Sequence, residues 1–309
     1  MASGNSSKTV IYAAFVGNLL VAATKFAAAA WTGSSAMLSE GVHSLVDTTN
    51  QILLLYGIRR ASRPADAEHP FGHGRELYFW SFIVALLIFS LGAGISFYEG
   101  IVHIRAPAKI VDPAVNYVVL GLSALFEMSS LWFALREFNG QRGELGFLEA
   151  ATRSRDPTTF IVLFEDTAAL LGIVIAFAGT WMAEHFDAPA LDGVASIGIA
   201  IVLATTAVFL ARESKGLLMG EPAQETVRRS MQKIAEGQPG VVKAFNLFTV
   251  HLGPDQIVAA IDLEFADELS SGQIERAVQV LETSIRERHP RVVAVFVKPR
   301  SSVAPSSGG

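Results

Sequence analysis

Glu40, His43 and Asp47 lie within about two turns of one apolar segment, SEGVHSLVDTTNQ, with Ser44 and Gln51 beside them. At about 100° per residue, positions 40, 43, 44, 47 and 51 form one polar stripe. His43 and Asp47 are four apart, so an imidazole nitrogen and a carboxylate can reach the same ion. A second apolar run, IVLFEDTAALLGIVIA, carries Glu165 and Asp166. An ionisable side chain in a membrane helix costs about 2.5–3.5 kcal/mol on insertion scales, so each needs a reason. Two helices each offering ligands at mid-depth is how helix bundles build metal sites. Hydrogen bonds between helices could be made by neutral groups at lower cost, which argues against a purely structural role for His43 and Asp47. Asn18, Ser90 and Ser129 are read as such helix-tying groups. Glu127 has two open readings, a structural bond or proton handling.

The elements that must position these residues are long apolar helices. The chain has 309 residues, 51% apolar and 17% charged, against roughly 25% charged in soluble domains. Its charge is uneven: positions 9–211 hold long stretches with almost none, and the last 90 or so residues look like ordinary soluble protein. A net charge of -5 gives no support for nucleic-acid binding, and the absence of cysteine excludes disulfides and thiolate metal sites. Six segments are long and apolar enough to span a bilayer: about 9–31, 35–58, 77–101, 114–136, 158–180 and 189–211. Period-two alternation is missing from them, so a β-barrel does not fit. The first eight residues are too short for a cleaved presequence, and the run from Thr9 is read as a retained helix.

Loop charges set the orientation. Arg59, Arg60, Arg63 and Arg75 follow the second segment, Arg136, Arg142, Arg153 and Arg155 the fourth, and Arg212 and Lys215 the sixth. The opposite loops hold only Arg105 and Lys109. Both termini are therefore expected in the cytoplasm. The expected organisation is a short N-terminus (1–8), a six-helix membrane domain (9–215), a cytoplasmic α+β domain (221–299) and a disordered Ser/Pro/Gly tail (300–309). Over 225–299 the spacing predicts helix, strand, strand, helix, strand. Val227, Met231 and Ile234 mark the first helix, and Ile274, Val278, Leu281 and Ile285 the second. Gly253-Pro254-Asp255 is the turn between the first two strands.

SEGVHSLVDT followed by HPFGHGRELYFW resembles the cation diffusion facilitator family of metal/proton antiporters. The six-span count, the order of elements in the tail and Gly172 six residues after Asp166 agree with that likeness, which covers roughly 9–299. RDPTTFIVLFEDTAALLG and VHLGPD resemble the branch that includes a mitochondrial zinc exporter and its bacterial relatives. The resemblance implies a zinc-exporting homodimer in a bacterial inner membrane, exchanging metal for protons. It implies a transport site of two ligands four apart on each of two helices. Carried over, these are His43, Asp47, Asp166 and position 162, which is Val162 and cannot bind metal. Glu165 is the substitute at hand, and Glu40 supports from behind the ligands. Losing one nitrogen ligand tilts the site toward harder ions, so manganese, iron or cobalt stand as alternatives.

In similar bacterial members an Asp and two His at the spacing of Asp66, His69 and His73 form a second, cytoplasmic metal site with a regulatory role. The same residues are also good turn chemistry, with His69-Pro70 and Gly72-His73-Gly74. The tail has only His251 and His289, and Asp262 lacks ligand partners, so dimerisation without a zinc cluster is expected. Two other classes compete. An intramembrane metalloprotease needs an HExxH-type motif, which is missing. A non-transporting scaffold would have no use for the ionisable groups of helices two and five.

Overall fold

The computed structural model describes residues 3–141 and 157–300. The expected orientation charges Arg142, Arg153 and Arg155, and the tail 301–309, lie outside the described residues. The described chain forms two compact units, one of Met1–Arg59 with Phe79–Lys215 and one of Arg60–Tyr78 with Gly216–Gly309.

Six long helices build the first unit and its continuations: α1 (Ser3–Thr32), α2 (Ser35–Ala61), α3 (Arg75–Arg105), α4 (Pro113–Gln141), α5 (Pro157–His185) and α6 (Ala190–Met219). Of these, α3 to α6 are long and apolar enough to cross a membrane. The polar stripe dilutes the apolar character of α2, and for α1 and α2 the crossing is taken up as part of the proposal below. Pro113 and Pro157 each open a helix, where a missing N–H costs nothing. Between Ile88 and Ala93, α3 passes through a π-helical turn. Bulky apolar side chains face outward, among them Leu20, Trp132, Phe133 and Val174, each more than 60% exposed, as a lipid-facing surface requires.

The start of α2 is fixed by a residue far along the chain. Gly33, with φ of 71°, ends α1 and turns the chain. Ser34 Oγ then accepts from the Met37 amide at 3.1 Å. Asp192, at the start of α6, accepts from the Ser35 amide at 2.6 Å, the Ala36 amide at 3.2 Å and Ser34 Oγ at 2.8 Å. These amides belong to the first turn of α2 and have no partner within the helix. A buried carboxylate there also faces the positive end of the helix dipole. Elsewhere, α3 and α6 approach backbone to backbone. A Cβ at Gly100 would lie 2.7 Å from the Gly193 carbonyl oxygen, and one at Gly193 would lie 2.9 Å from that of Gly100.

The second unit holds α7 (Glu225–Glu236), β1 (Val241–Gly253), β2 (Gln256–Phe265), α8 (Ser271–Arg288) and β3 (Val292–Pro299). β1 pairs antiparallel with β2 across the turn at Pro254 and Asp255, and β2 pairs parallel with β3 through the α8 crossover. Alternate residues of β2, Ile257, Ala259, Ile261 and Leu263, are buried with Met231 and Ala235 of α7 and Leu281 and Ile285 of α8. Ser270 and Gln273 form a capping box at the start of α8. The segment 60–78 is part of this unit: Phe71 packs edge-on against Phe296, and Gly74 lies so close to the Leu252 carbonyl that a Cβ would collide.

Asp192→Ala strips the charged acceptor from the α2 amides. At about 1.5–3 kcal/mol per charge-assisted bond, it is expected to lower stability by at least about 3 kcal/mol. Thermal unfolding in detergent checks this, and an unchanged midpoint would remove Asp192 from the capping role.

Candidate functional site

The polar stripe of α2 faces inward: Glu40, His43 and Ser44 are buried, and Asp47 lines a small cavity in the first unit. α5 brings Glu165 and Asp166 to that cavity, α4 brings Glu127 and Ser130, and α1 brings Asn18. The space is about 20 Å³, room for one small ion or water. Glu165 and Asp166 are adjacent in sequence, yet both reach the cavity wall. Asn50, seven residues after His43 on α2, donates to Glu165 Oε1 at 2.7 Å and turns that carboxylate toward α2. Val162 lines the same wall, so the position four before Asp166 faces the site and offers only methyl groups.

His43 sits beside the cavity. Its Nδ1 is 3.3 Å from Asp47 Oδ1, and neither ring nitrogen has a hydrogen-bond partner. Asp47 Oδ1 and Asp166 Oδ2 are also buried without partners. Buried polar atoms are nearly always hydrogen-bonded, so unpartnered ones gathered near a cavity point to a ligand. The chemistry available is that of a cation held by carboxylate oxygens and one imidazole.

Some polar residues behave differently from the sequence expectation. Asn18 lines the cavity. Ser90 and Ser129 are exposed and bond carbonyls of their own helices, Leu86 at 2.7 Å and Phe126 at 2.6 Å, the back-bonding open to a hydroxyl that faces outward. Lys25 of α1 escaped notice altogether. It is fully buried, with Nζ 2.8 Å from Glu40 Oε2 and 2.9 Å from Ser44 Oγ. Its signal was available: a lysine inside an apolar helix is a functional candidate by default.

In the second unit, Asp66, His69 and His73 offer ligand atoms that all lie within 4.8 Å of one another. Asp66 Oδ2 is 2.9 Å from His73 Nε2, and Oδ1 accepts from the His69 amide at 2.7 Å and the Glu68 amide at 3.0 Å. Turn and ligand cluster therefore coexist in one loop. The bond from His73, then that from the His69 backbone, holds the Asp66 carboxyl down at about 2. In the tail, Asp262 meets Asn246 at 3.2 Å and Arg300 at 3.7 Å. His289 meets Ser230 at 2.8 Å, and His251 is buried with Nδ1 3.2 Å from the Gly253 carbonyl.

Comparison with known proteins adds independent findings. The profile of the cation efflux transmembrane domain matches residues 11–219. The human protein named proton-coupled zinc antiporter SLC30A9, mitochondrial, is 32% identical over 243 residues, 78% of this chain and 43% of that protein. Metal tolerance protein C4 of Arabidopsis thaliana is 29% identical over 82% of this chain and 56% of its own length. Cation-efflux pump FieF of Shigella boydii is 26% identical over 98% of this chain and 95% of its own. The chain thus spans less than half the length of the mitochondrial relative.

His73→Ala removes the leading cause of the Asp66 shift. Its titration midpoint should climb from about 2 toward the ordinary 3.8, read by carboxyl carbon NMR of the labelled protein. The sign follows from a depressed carboxyl: the contacts of ionised Asp66 stabilise the loop above its ordinary pKa and are lost as pH falls through about 2. A midpoint that stays at about 2 in the variant would reassign the shift to the backbone amides.

Proposed function

The chain belongs to the cation efflux family, the cation diffusion facilitators, and on that premise we propose that it exports a divalent metal cation, zinc first, from the cytoplasm in exchange for protons. The observation that carries the reading is the small buried cavity on which Asp47, Glu165 and Asp166 converge, with His43 3.3 Å from Asp47. In this reading all six long helices span the bilayer, both termini face the cytoplasm and the tail forms a homodimer. The exposed Val242 and Phe248 of β1 are in keeping with a partner surface.

Metal enters from the cytoplasmic side and displaces protons from His43, Asp47 and Asp166. It leaves on the far side after the bundle rearranges, and protons return on the same groups. Ligands must be deprotonated to bind metal, so competition between metal and proton supplies the coupling with no further machinery. Two ionised aspartates and a neutral imidazole balance a divalent charge, which suits a carrier that must release its cargo. Glu165, steered by Asn50, fills the coordination that Val162 cannot. Glu127, on the same wall, is placed to carry a proton.

A second reading concerns the metal. The cavity lining includes four carboxylates and no imidazole, and oxygen ligands suit a hard ion such as manganese, whereas zinc is suited by imidazole. The loop cluster of Asp66, His69 and His73 is read as a regulatory cytoplasmic metal site. Two of its three members, Asp66 and His69, are exposed, which suits sensing better than transport.

Zinc uptake into proteoliposomes under an imposed pH gradient tests the proposal. Wild-type protein is expected to move zinc only with the gradient, and Asp47→Asn and Asp166→Ala to lose about tenfold or more of the rate. Equal rates for Asp166→Ala and wild type would pass the ligand role to Glu165. Transport of manganese without zinc would overturn the choice of metal and leave the exchange mechanism standing.

A further inference from the structure

The transport scheme leaves one buried charge unused. Lys25 is 0% exposed, as is Glu40, and the two side chains meet at 2.8 Å. A buried ion pair is costly to build and adds little stability over a well-packed apolar pair, so its presence calls for a role. Its position supplies one. Ser44, which accepts from Lys25 Nζ, is itself part of the cavity wall, so a single hydroxyl separates the ammonium from the site. On α1 the cavity is lined by Asn18 and Val21, and Lys25 is one turn further along. On α2 it is lined by Ser44, Asp47 and Gln51, and Glu40 is one turn further in the direction of Gly33. The pair therefore borders the site on the side that leads toward the start of α2. Glu40 Oε1 has no hydrogen-bond partner and points at Gly172 of α5, where a Cβ would collide with it. Gly172 thus leaves a berth for a carboxylate whose second oxygen is uncommitted.

We propose that Lys25 and Glu40 are a charge-compensating pair that sets how tightly the adjoining site holds a divalent cation. The Lys25 ammonium weakens the hold enough for release, and the Glu40 carboxylate offsets it enough for capture. This inference rests on the transport reading of the cavity. Lys25 is a positioning residue that keeps Glu40 out of the ligand set. Without it, a free carboxylate stands one turn from His43 and adds an attractive charge next to the cargo. A unit charge at this range, in surroundings less polarisable than water, changes divalent-ion affinity by roughly tenfold or more. A pair that merely pinned α1 to α2 would behave otherwise, because either single substitution would loosen the site and weaken binding.

Calorimetric titration of Zn2+ into the full chain in lipid nanodiscs tests this, in a His73→Ala background that silences the loop cluster. Lys25→Met is expected to bind zinc about tenfold more tightly and, in proteoliposomes, to show a lower KM together with a lower kcat. Glu40→Gln is expected to bind about tenfold more weakly. The double substitution, which removes both charges together, should fall between them. Weakening in both single variants, or no change in either, overturns the inference while transport-site binding in the parent stands. If Lys25→Met does not fold, the double variant decides: an affinity above that of Glu40→Gln supports the pair, and an equal one overturns it. Zinc binding that is missing from the parent, or that survives Asp47→Asn, overturns the transport reading and this inference with it.

Discussion

Holding charge away from water governs how the first unit is put together. Among the described residues, most buried ionisable groups in it have a close partner or sit beside the small cavity. Lys25 has Glu40, Glu165 has Asn50, and Asp192 has the amides that begin α2. Asp47, Asp166 and the His43 ring keep atoms unbonded, and these gather around one small space. The same cost that would exclude such residues from a bilayer makes them readable as a site. Lone, unsatisfied charge is unstable there, and under the proposed exchange of metal for protons the same atoms would hold one or the other.

Much of this was legible in the chain itself. The 3.6-residue period put Glu40, His43 and Asp47 on one face of α2, and that face turns inward, with Glu40 and His43 buried and Asp47 on the cavity wall. The tail's order of elements followed from its two helical stripes and its β-rich runs on either side of the turn at Pro254 and Asp255. What escaped was pairing between helices. Periodicity says which side a residue faces but not which neighbour it meets, so neither the Lys25–Glu40 pair nor the Asn50–Glu165 bond could be read. Adjacent residues such as Glu165 and Asp166 point about 100° apart around a helix, too far to share a ligand sphere centred on one helix face. A cavity walled by α1, α2, α4 and α5 accepts both.

The loop after α2 shows a different limit. Its His, Pro and Gly residues read equally as a turn and as a ligand cluster, and the fold keeps both meanings. Asp66 caps local amides with one oxygen and meets His73 with the other. Nothing in the residue pattern announces that 60–78 packs with residues about two hundred positions later, because the contacts of Phe71 and Gly74 with the tail are made by shape. A metal at Asp66, His69 and His73 would therefore stiffen a segment already docked on the tail sheet.

Asp192 closes the first turn of α2 from 157 positions downstream. During synthesis that carboxylate does not yet exist when the last residue of α2, Ala61, is added, and 131 further residues must be joined before it does. Until then the amides of Ser35 and Ala36 have to be satisfied by water or by the insertion machinery. The start of α2 is thus left unfinished until α6 has been made, and the cavity that α2 helps to wall can settle only when the bundle is complete.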